Sequence, residues 1–216
     1  MRKIIFTNGE YYHIYNRGVD KREVFLDKRD YARLLVNMRE FNREDIIGSL
    51  KDLQALRARK NNGLLEPGVP EKLVEIVSYC LNPNHYHFIL RQTMERGIER
   101  FMHKLGMGYT NYFNKKYDRS GSLFQGPFKA IYINSNEYLL YLSAYVNRNN
   151  FIHGYSQDDS WPYTSYLDYV GKRNGKLCNK EVILNQFKDA EEYKKFINVN
   201  ALYLKEKKEM EKYLLE

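Results

Sequence analysis

Between Leu73 and Leu90 the chain reads LVEIVSYCL-NPN-HYHFIL: two β-branched and aromatic runs joined by three turn-forming residues. That pattern predicts an antiparallel hairpin. Successive side chains of a strand point to opposite faces. Tyr86, Phe88 and Leu90 therefore share a face that is uniformly large and apolar, as expected where helices cover a sheet. His85, His87 and Ile89 share the other, which puts two imidazoles side by side on the expected open face. Histidines two apart on a strand can bind one cation if further ligands complete the shell. Equally, they can be two hydrogen-bonded side chains on a half-exposed strand, and the H-x-H spacing alone does not decide.

The flanking sequence supplies the remaining elements. YYHIYNR (11–17) is rich in β-formers and ends at Gly18, which predicts a first strand. DKRDYARLLVNMREFN (27–42) predicts a helix, with Asp27 as cap and Leu34, Leu35, Met38 and Phe41 at helical spacing. Residues 46–70 hold a basic helical piece (50–60) and the breaker-rich NNGLLEPGVP, and are expected to be an insertion. Residues 94–117 repeat apolar side chains at steps of three and four, an amphipathic helix despite Gly106 and Gly108. LFQGPFKAIYI (123–133) predicts a strand, bulged or at an edge because of Gly126-Pro127. Residues 134–150 predict a further helix with Asn134 as cap and Glu137 three residues later.

The order strand, helix, strand, strand, helix, strand, helix predicts an α+β fold of the ferredoxin-like (βαββαβ) type. Its antiparallel sheet carries helices on one face, with an extra C-terminal helix and a helical tail. The expected division is a domain over 1–154, with 46–70 inserted, and a helical extension over 155–216 packed on or near it. The mixed-charge KEKKEMEKYLLE at 205–216 reads as a solvated helix.

On the last core helix Tyr138, Leu142, Tyr145 and Asn149 follow steps of four, three and four, forming one stripe. Laid across the open sheet face, that stripe brings Tyr145 and Asn149 towards the histidines. A phenol can attack phosphorus when a metal polarises the phosphate, and an amide oxygen can complete a mixed N/O shell suited to magnesium or manganese. With twenty tyrosines in 216 residues, an ordinary packing role for Tyr145 stays open at this point.

Composition points to the partner. The net charge is +8, and between His85 and Gly154 nine Lys and Arg stand against four acids. Cations interleaved with 20 Tyr and 11 Phe suit single-stranded nucleic acid, whose unpaired bases offer faces for stacking. Arg17, Arg100, Lys104, Lys115, Lys116, Arg119 and Lys129 are the candidate contacts to a nucleic-acid backbone. Phe124 and Tyr132 read equally as stacking or core residues. No apolar run reaches the length of a membrane span, and the N-terminus turns polar too soon for a signal peptide. A cytoplasmic protein without membrane contact is expected, and Cys80 and Cys178, far apart and outside any metal spacing, suit a reducing compartment.

Taken in order, YHIYNRG, YCLNPNHYHFIL, MHKLGMGYTNYFNKKYDRSGSLFQGPFKA and YLLYLSAYVNRNNF resemble the single-tyrosine HUH transposases, and among these the REP-associated tyrosine transposases. The resemblance spans about Tyr11 to Gly154, and WPYTSYLDYVGKRNGKL (161–177) resembles the segment that follows in that branch. It implies the ferredoxin-like fold and a metal-dependent single-stranded DNA endonuclease and strand transferase acting near hairpins. In that role His85 and His87 match the metal-binding pair, and Tyr145 the nucleophile that forms a 5′-phosphotyrosine. Asn149 matches the residue completing the metal shell, with Mg2+ or Mn2+ as the cofactor. The implied partner is hairpin-forming single-stranded DNA, and the protein a monomer or homodimer. Two positions depart from the pattern: Asn150 stands where relatives often have Pro, and Pro127 where many have Arg. The alternative is a domesticated, non-catalytic protein of the same fold that binds structured single-stranded DNA or RNA.

Overall fold

The structure, a computed structural model, describes residues 4–44, 55 and 71–213. The expected insertion at 46–70 lies outside the described residues, apart from Ala55. Four strands form one antiparallel sheet: β1 (Tyr11–Arg17), β2 (Val74–Asn82), β3 (His85–Gln92) and β4 (Lys129–Ile133). Their order is β2-β3-β1-β4, with every neighbouring pair antiparallel. Helix α1 (Lys28–Glu40) links β1 to β2, the 46–70 segment intervening, and α2 (Gly97–Lys116) links β3 to β4. This is the α+β, ferredoxin-like arrangement expected from the element order.

Helix α1 begins where its cap chemistry dictates. The Asp27 side chain accepts from the Arg29 and Asp30 amides, while Asp30 reaches back to the Asp27 amide, a reciprocal box that satisfies otherwise orphaned donors. Both helices lie on the β3 face formed by Tyr86, Phe88 and Leu90. Leu34 and Met38 of α1 and Ile98, Phe101, Leu105, Tyr109 and Phe113 of α2 are buried with them in one cluster. Gly108 marks a close approach: a Cβ there would meet Phe41 Cε2 at 2.5 Å.

The other face is not open. Helix α3 (Asn136–Asn147) packs across it, burying Leu139, Leu142, Ala144 and Val146 against Val77, Cys80, Ile89 and Ile133. Residues 155–213 add short helices α5 (Tyr166–Tyr169) and α6 (Glu181–Leu184) and the long α7 (Ala190–Tyr213). Their Tyr166, Tyr169, Ile183, Tyr193 and Ile197 join the same buried cluster. The apolar face of α3 covers the sheet for the reason that α1 and α2 cover the opposite side, and α7 packs on α3 in turn: each helix must bury its apolar stripe.

Three boundaries differ from expectation. Ser135, not Asn134, caps α3, its hydroxyl accepting from the Tyr138 amide. The predicted helix 134–150 also breaks: Arg148 adopts φ −108°, ψ 15°, and Asn149–Ile152 forms a separate turn, α4. The predicted strand 123–133 is extended in the sheet only from Lys129, because Gly126 takes a positive φ of 72° that turns the chain before it.

Candidate active site

The register of three strands sets the floor of the site. Tyr15 of β1 pairs with His87, Arg17 with His85, and His13 with Ile89, so His13, Tyr15 and Arg17 share the face of the two predicted histidines. Lys129 of β4 pairs with Tyr15 and extends that row. Opposite stands Tyr145 of α3, its ring edge-on to His87 with centroids 5.4 Å apart and edge-on to His13 at 6.0 Å. A cleft of about 220 Å3 opens here, lined among others by Arg17, His85, His87, Lys129, Tyr145 and His153.

Hydrogen bonds orient His85. Its Nδ1 lies 2.6 Å from Asn84 Oδ1, an oxygen that also accepts from the Tyr155 hydroxyl at 2.9 Å. Its Nε2 lies 3.0 Å from Asn149 Oδ1. The ring thus faces an acceptor oxygen at each nitrogen. Burial holds the His85 pKa at about 4, with Asn149 acting in the opposite direction, so the neutral imidazole has only one proton to offer. With that proton on Nδ1, the Nε2 lone pair and Asn149 Oδ1 converge. The Asn82 amide donates to both, at 3.0 and 2.6 Å.

That convergence is the test of a metal. Two buried lone-pair donors 3.0 Å apart suit a shared cation better than they suit each other. With His87 on the adjacent strand position, the set is two imidazole nitrogens and one amide oxygen, a hard-to-borderline mixture compatible with Mn2+ or Mg2+. Among the described residues, no group of three or more His, Cys, Asp or Glu gathers into a metal-holding cluster. The donors reach three only by counting the amide of Asn149.

His87 is fully buried and its pKa lies well below the ordinary value, by burial first and then by the neighbouring His13, His85 and His153. Burial of Tyr145 raises its phenol pKa above the usual value, while the Asn149 amide opposes that rise. The phenol is therefore protonated at neutral pH, and its proton must leave as any bond to oxygen forms.

Of the seven predicted DNA contacts, the structure brings two to the cleft, Arg17 and Lys129. The buried Nε of Arg17 has no hydrogen-bond partner. The other five lie on α2 or just after it, the element covering the opposite sheet face. Four of them are engaged there. Arg100 and Lys104 donate to the Glu44 and Arg43 carbonyls, Lys116 pairs with Asp27 and Asp30, and Arg119 binds Asn114 and Ser122. Lys115 is exposed on the same flank. Phe124 is buried in the core, whereas Tyr132 is exposed on β4.

Sequence reasoning passed over His13, His153, Asn82 and Asn84. The alternation Tyr11, His13, Tyr15, Arg17 placed His13 on a single face of β1, but only the register shows that this face is the one carrying His87. His153 follows the α4 turn and stands 5.1 Å from the His85 ring. Lys208 Nζ of α7 lies 2.7 Å from His153 Nδ1, so the tail expected to be solvated reaches the edge of the site.

Comparison with known proteins bears on the fold. The family model described as "Transposase IS200 like" matches residues 64–149, a stretch holding His85, His87, Tyr145 and Asn149. A solved structure described as a REP-associated tyrosine transposase bound to a REP hairpin is similar in fold, with a TM-score of 0.52 at 14 % identity. The likeness covers 80 % of this chain and 86 % of that one. No curated protein matches the chain.

Proposed function

We propose that the protein is a metal-dependent single-stranded DNA endonuclease and strand transferase that works through a 5′-phosphotyrosine on Tyr145. The observation that carries this reading is the meeting of His85, His87, Tyr145 and Asn149 at one cleft whose rim holds Arg17 and Lys129. A packing role for Tyr145 would not require two convergent lone-pair donors beside it, and a binding surface would not require a half-buried phenol set against two imidazoles. The match to the IS200-like transposase family, in residues 64–149, supports the same reaction class.

In the proposed step Tyr145 Oη attacks a phosphodiester phosphorus. The new O–P bond links the tyrosine to the 5′ side, the P–O3′ bond breaks, the phenolic proton is released, and the 3′ oxygen takes up a proton. A cation held by His85, His87 and Asn149 would withdraw charge from the phosphate oxygens and offset charge developing on the leaving oxygen. Arg17 and Lys129 hold the DNA backbone across the cleft mouth. Because the tyrosyl ester retains the energy of the cleaved bond, a 3′-hydroxyl from another strand can reverse the attack and join that strand.

The substrate is hairpin-forming single-stranded DNA. The similar solved transposase is bound to a REP hairpin, and the cleft here is lined by the cations Arg17 and Lys129. The test is incubation of 5′- and 3′-labelled hairpin oligonucleotides with Mn2+. A covalent adduct carrying the 3′ fragment is expected from the wild type, and Tyr145→Phe is expected to lower its yield by more than about a thousandfold, within the range for removing a covalent nucleophile. Adduct formation by the Phe variant removes Tyr145 from its role. Tight binding with no adduct from the wild type leaves only the non-catalytic binding role.

A further inference from the structure

A buried residue without an assigned role, His13, touches a proposed ligand directly. Its Nε2 lies 2.8 Å from His87 Nδ1, with both rings buried. The rings are nearly parallel, with centroids 5.1 Å apart and planes 18° apart. Tyr15 completes the stack, 5.0 Å from the His13 ring and 5.6 Å from that of His87. His13 is thus locked by packing while one nitrogen faces the proposed ligand.

Two proton arrangements satisfy that short contact. In the first, His13 Nε2–H donates to His87 Nδ1; the neutral His87 then carries its proton on Nε2 and has no lone pair left for a metal. In the second, His87 Nδ1–H donates to His13 Nε2, and the lone pair of His87 Nε2 is free. His13 Nδ1 is buried without a partner in either case, so it does not distinguish them. Asn84 acts on His85 in the equivalent way, its oxygen taking the Nδ1 proton and leaving Nε2 bare. Both ligating rings would then be held from behind through Nδ1, one by an amide oxygen and one by an imidazole.

We infer that His13 is a positioning residue: its Nε2 accepts the Nδ1 proton of His87 and fixes the tautomer in which His87 Nε2 binds the cation. The inference rests on the metal-dependent reading of the site and names a determinant of metal affinity one position back from the ligands.

Mn2+ titration followed by the electron paramagnetic resonance of free Mn2+ tests it, on wild type, His13→Phe and His13→Gln, with metal-free melting measured alongside. Phe keeps a flat ring in the stack but accepts no proton; Gln restores an acceptor oxygen. Binding weakened about 10- to 100-fold in the Phe variant is expected, with most of the loss recovered in the Gln variant and metal-free melting similar in both. Equal Mn2+ affinity in wild type and a folded Phe variant overturns the inference while leaving the metal reading intact. A wild type that binds no Mn2+ overturns the metal reading, and the inference with it. A measurement needing no variant guards against a Phe protein that fails to fold. In Mg2+-saturated wild type, nitrogen-15 resonances of His87 should show a protonated Nδ1 and a bare Nε2. A proton on Nε2 overturns the assignment.

Discussion

The two faces of the sheet are built from the same strands and obey different rules. On one, Tyr86, Phe88 and Leu90 of β3 interlock with α1 and α2 among apolar side chains, and Lys116 at its rim is paired with Asp27 and Asp30. Asp30, buried there, accepts from Lys116, Tyr112, Tyr117 and two backbone amides. On the other, side chains one residue along the same strand are imidazoles, with convergent lone pairs and buried nitrogens that lack partners. Buried polar groups are normally satisfied, so His13 Nδ1, Arg17 Nε and Asn149 Nδ2, gathered without partners around the cleft, set this corner of the second face apart, although Asn37 of α1 is also buried without a partner. The first face is largely apolar; the second combines an apolar cluster beneath α3 with a polar corner at the histidines.

Substitutions in adjacent strand positions should separate the two. Phe88→Ala opens a cavity in the interlocked face and is expected to cost about 3–5 kcal/mol in denaturant unfolding. His87→Ala, on the neighbouring position, removes a ring held by one hydrogen bond to His13 and by ring contacts with His13, Tyr15 and Tyr145, and should cost about 1–2 kcal/mol without metal, while abolishing stabilisation by added Mn2+. Similar losses from both would mean that the site face carries the core as well.

Next in size is Asp30. Burial alone would raise its pKa, but hydrogen bonds from Lys116, Tyr117 and the Leu26 and Asp27 amides outweigh it and leave the carboxyl below its ordinary value. A depressed carboxylate adds stability that is full above its unfolded pKa and is lost as pH falls through the folded one. Stability should therefore drop as pH falls from about 5 towards 2, and Asp30→Asn should flatten that slope while lowering stability at pH 7 by about 2–3 kcal/mol. Urea unfolding at stepped pH measures both, and an unchanged slope in the variant would assign the acid loss to other groups.

The smallest effect concerns the charges. Lys129→Ala at the cleft should weaken single-stranded DNA binding several-fold and lower the slope of log affinity against log salt by roughly 0.7, the value for one phosphate contact on a single strand. Lys115→Ala, on the α2 flank, should leave that slope unchanged. Equal effects from both would place the DNA on the helical face and return α2 to the candidate surface.

What was legible in the sequence follows the range of the interactions involved. The alternation in HYHFIL, the Asp27 cap and the helical spacing of 97–116 are local, and each emerges in the structure close to where it was read. The closed second face depends on α3 and on side chains from beyond residue 155, which no local pattern announces. The break at Arg148 has the same origin. Nothing in YVNRNNF forbids a continuous helix, yet the Arg148 guanidinium pairs with Asp159 at 2.6 Å and lies over the Phe151 and Tyr166 rings. His13 was hidden because its meaning lies in a cross-strand register, and charge counts carry no direction, so they could not separate Arg17 and Lys129 at the cleft from the five cations on or after α2.

That break at Arg148 ties the site to distant sequence. Just before it, the Asn147 carbonyl accepts from Thr164, its amide oxygen from Ser165 at 2.5 Å, and its amide nitrogen donates to Tyr193. The turn presenting Asn149 is thus moored from behind by side chains contributed between Asp159 and Tyr193. A protease cut or frameshift in that stretch would strand buried polar groups directly beneath the cleft without touching any residue that lines it. Inactivating changes in this protein should accordingly be sought as readily among Asp159, Thr164, Ser165 and Tyr193 as among the histidines, and a survey of natural damage confined to the cleft would undercount them.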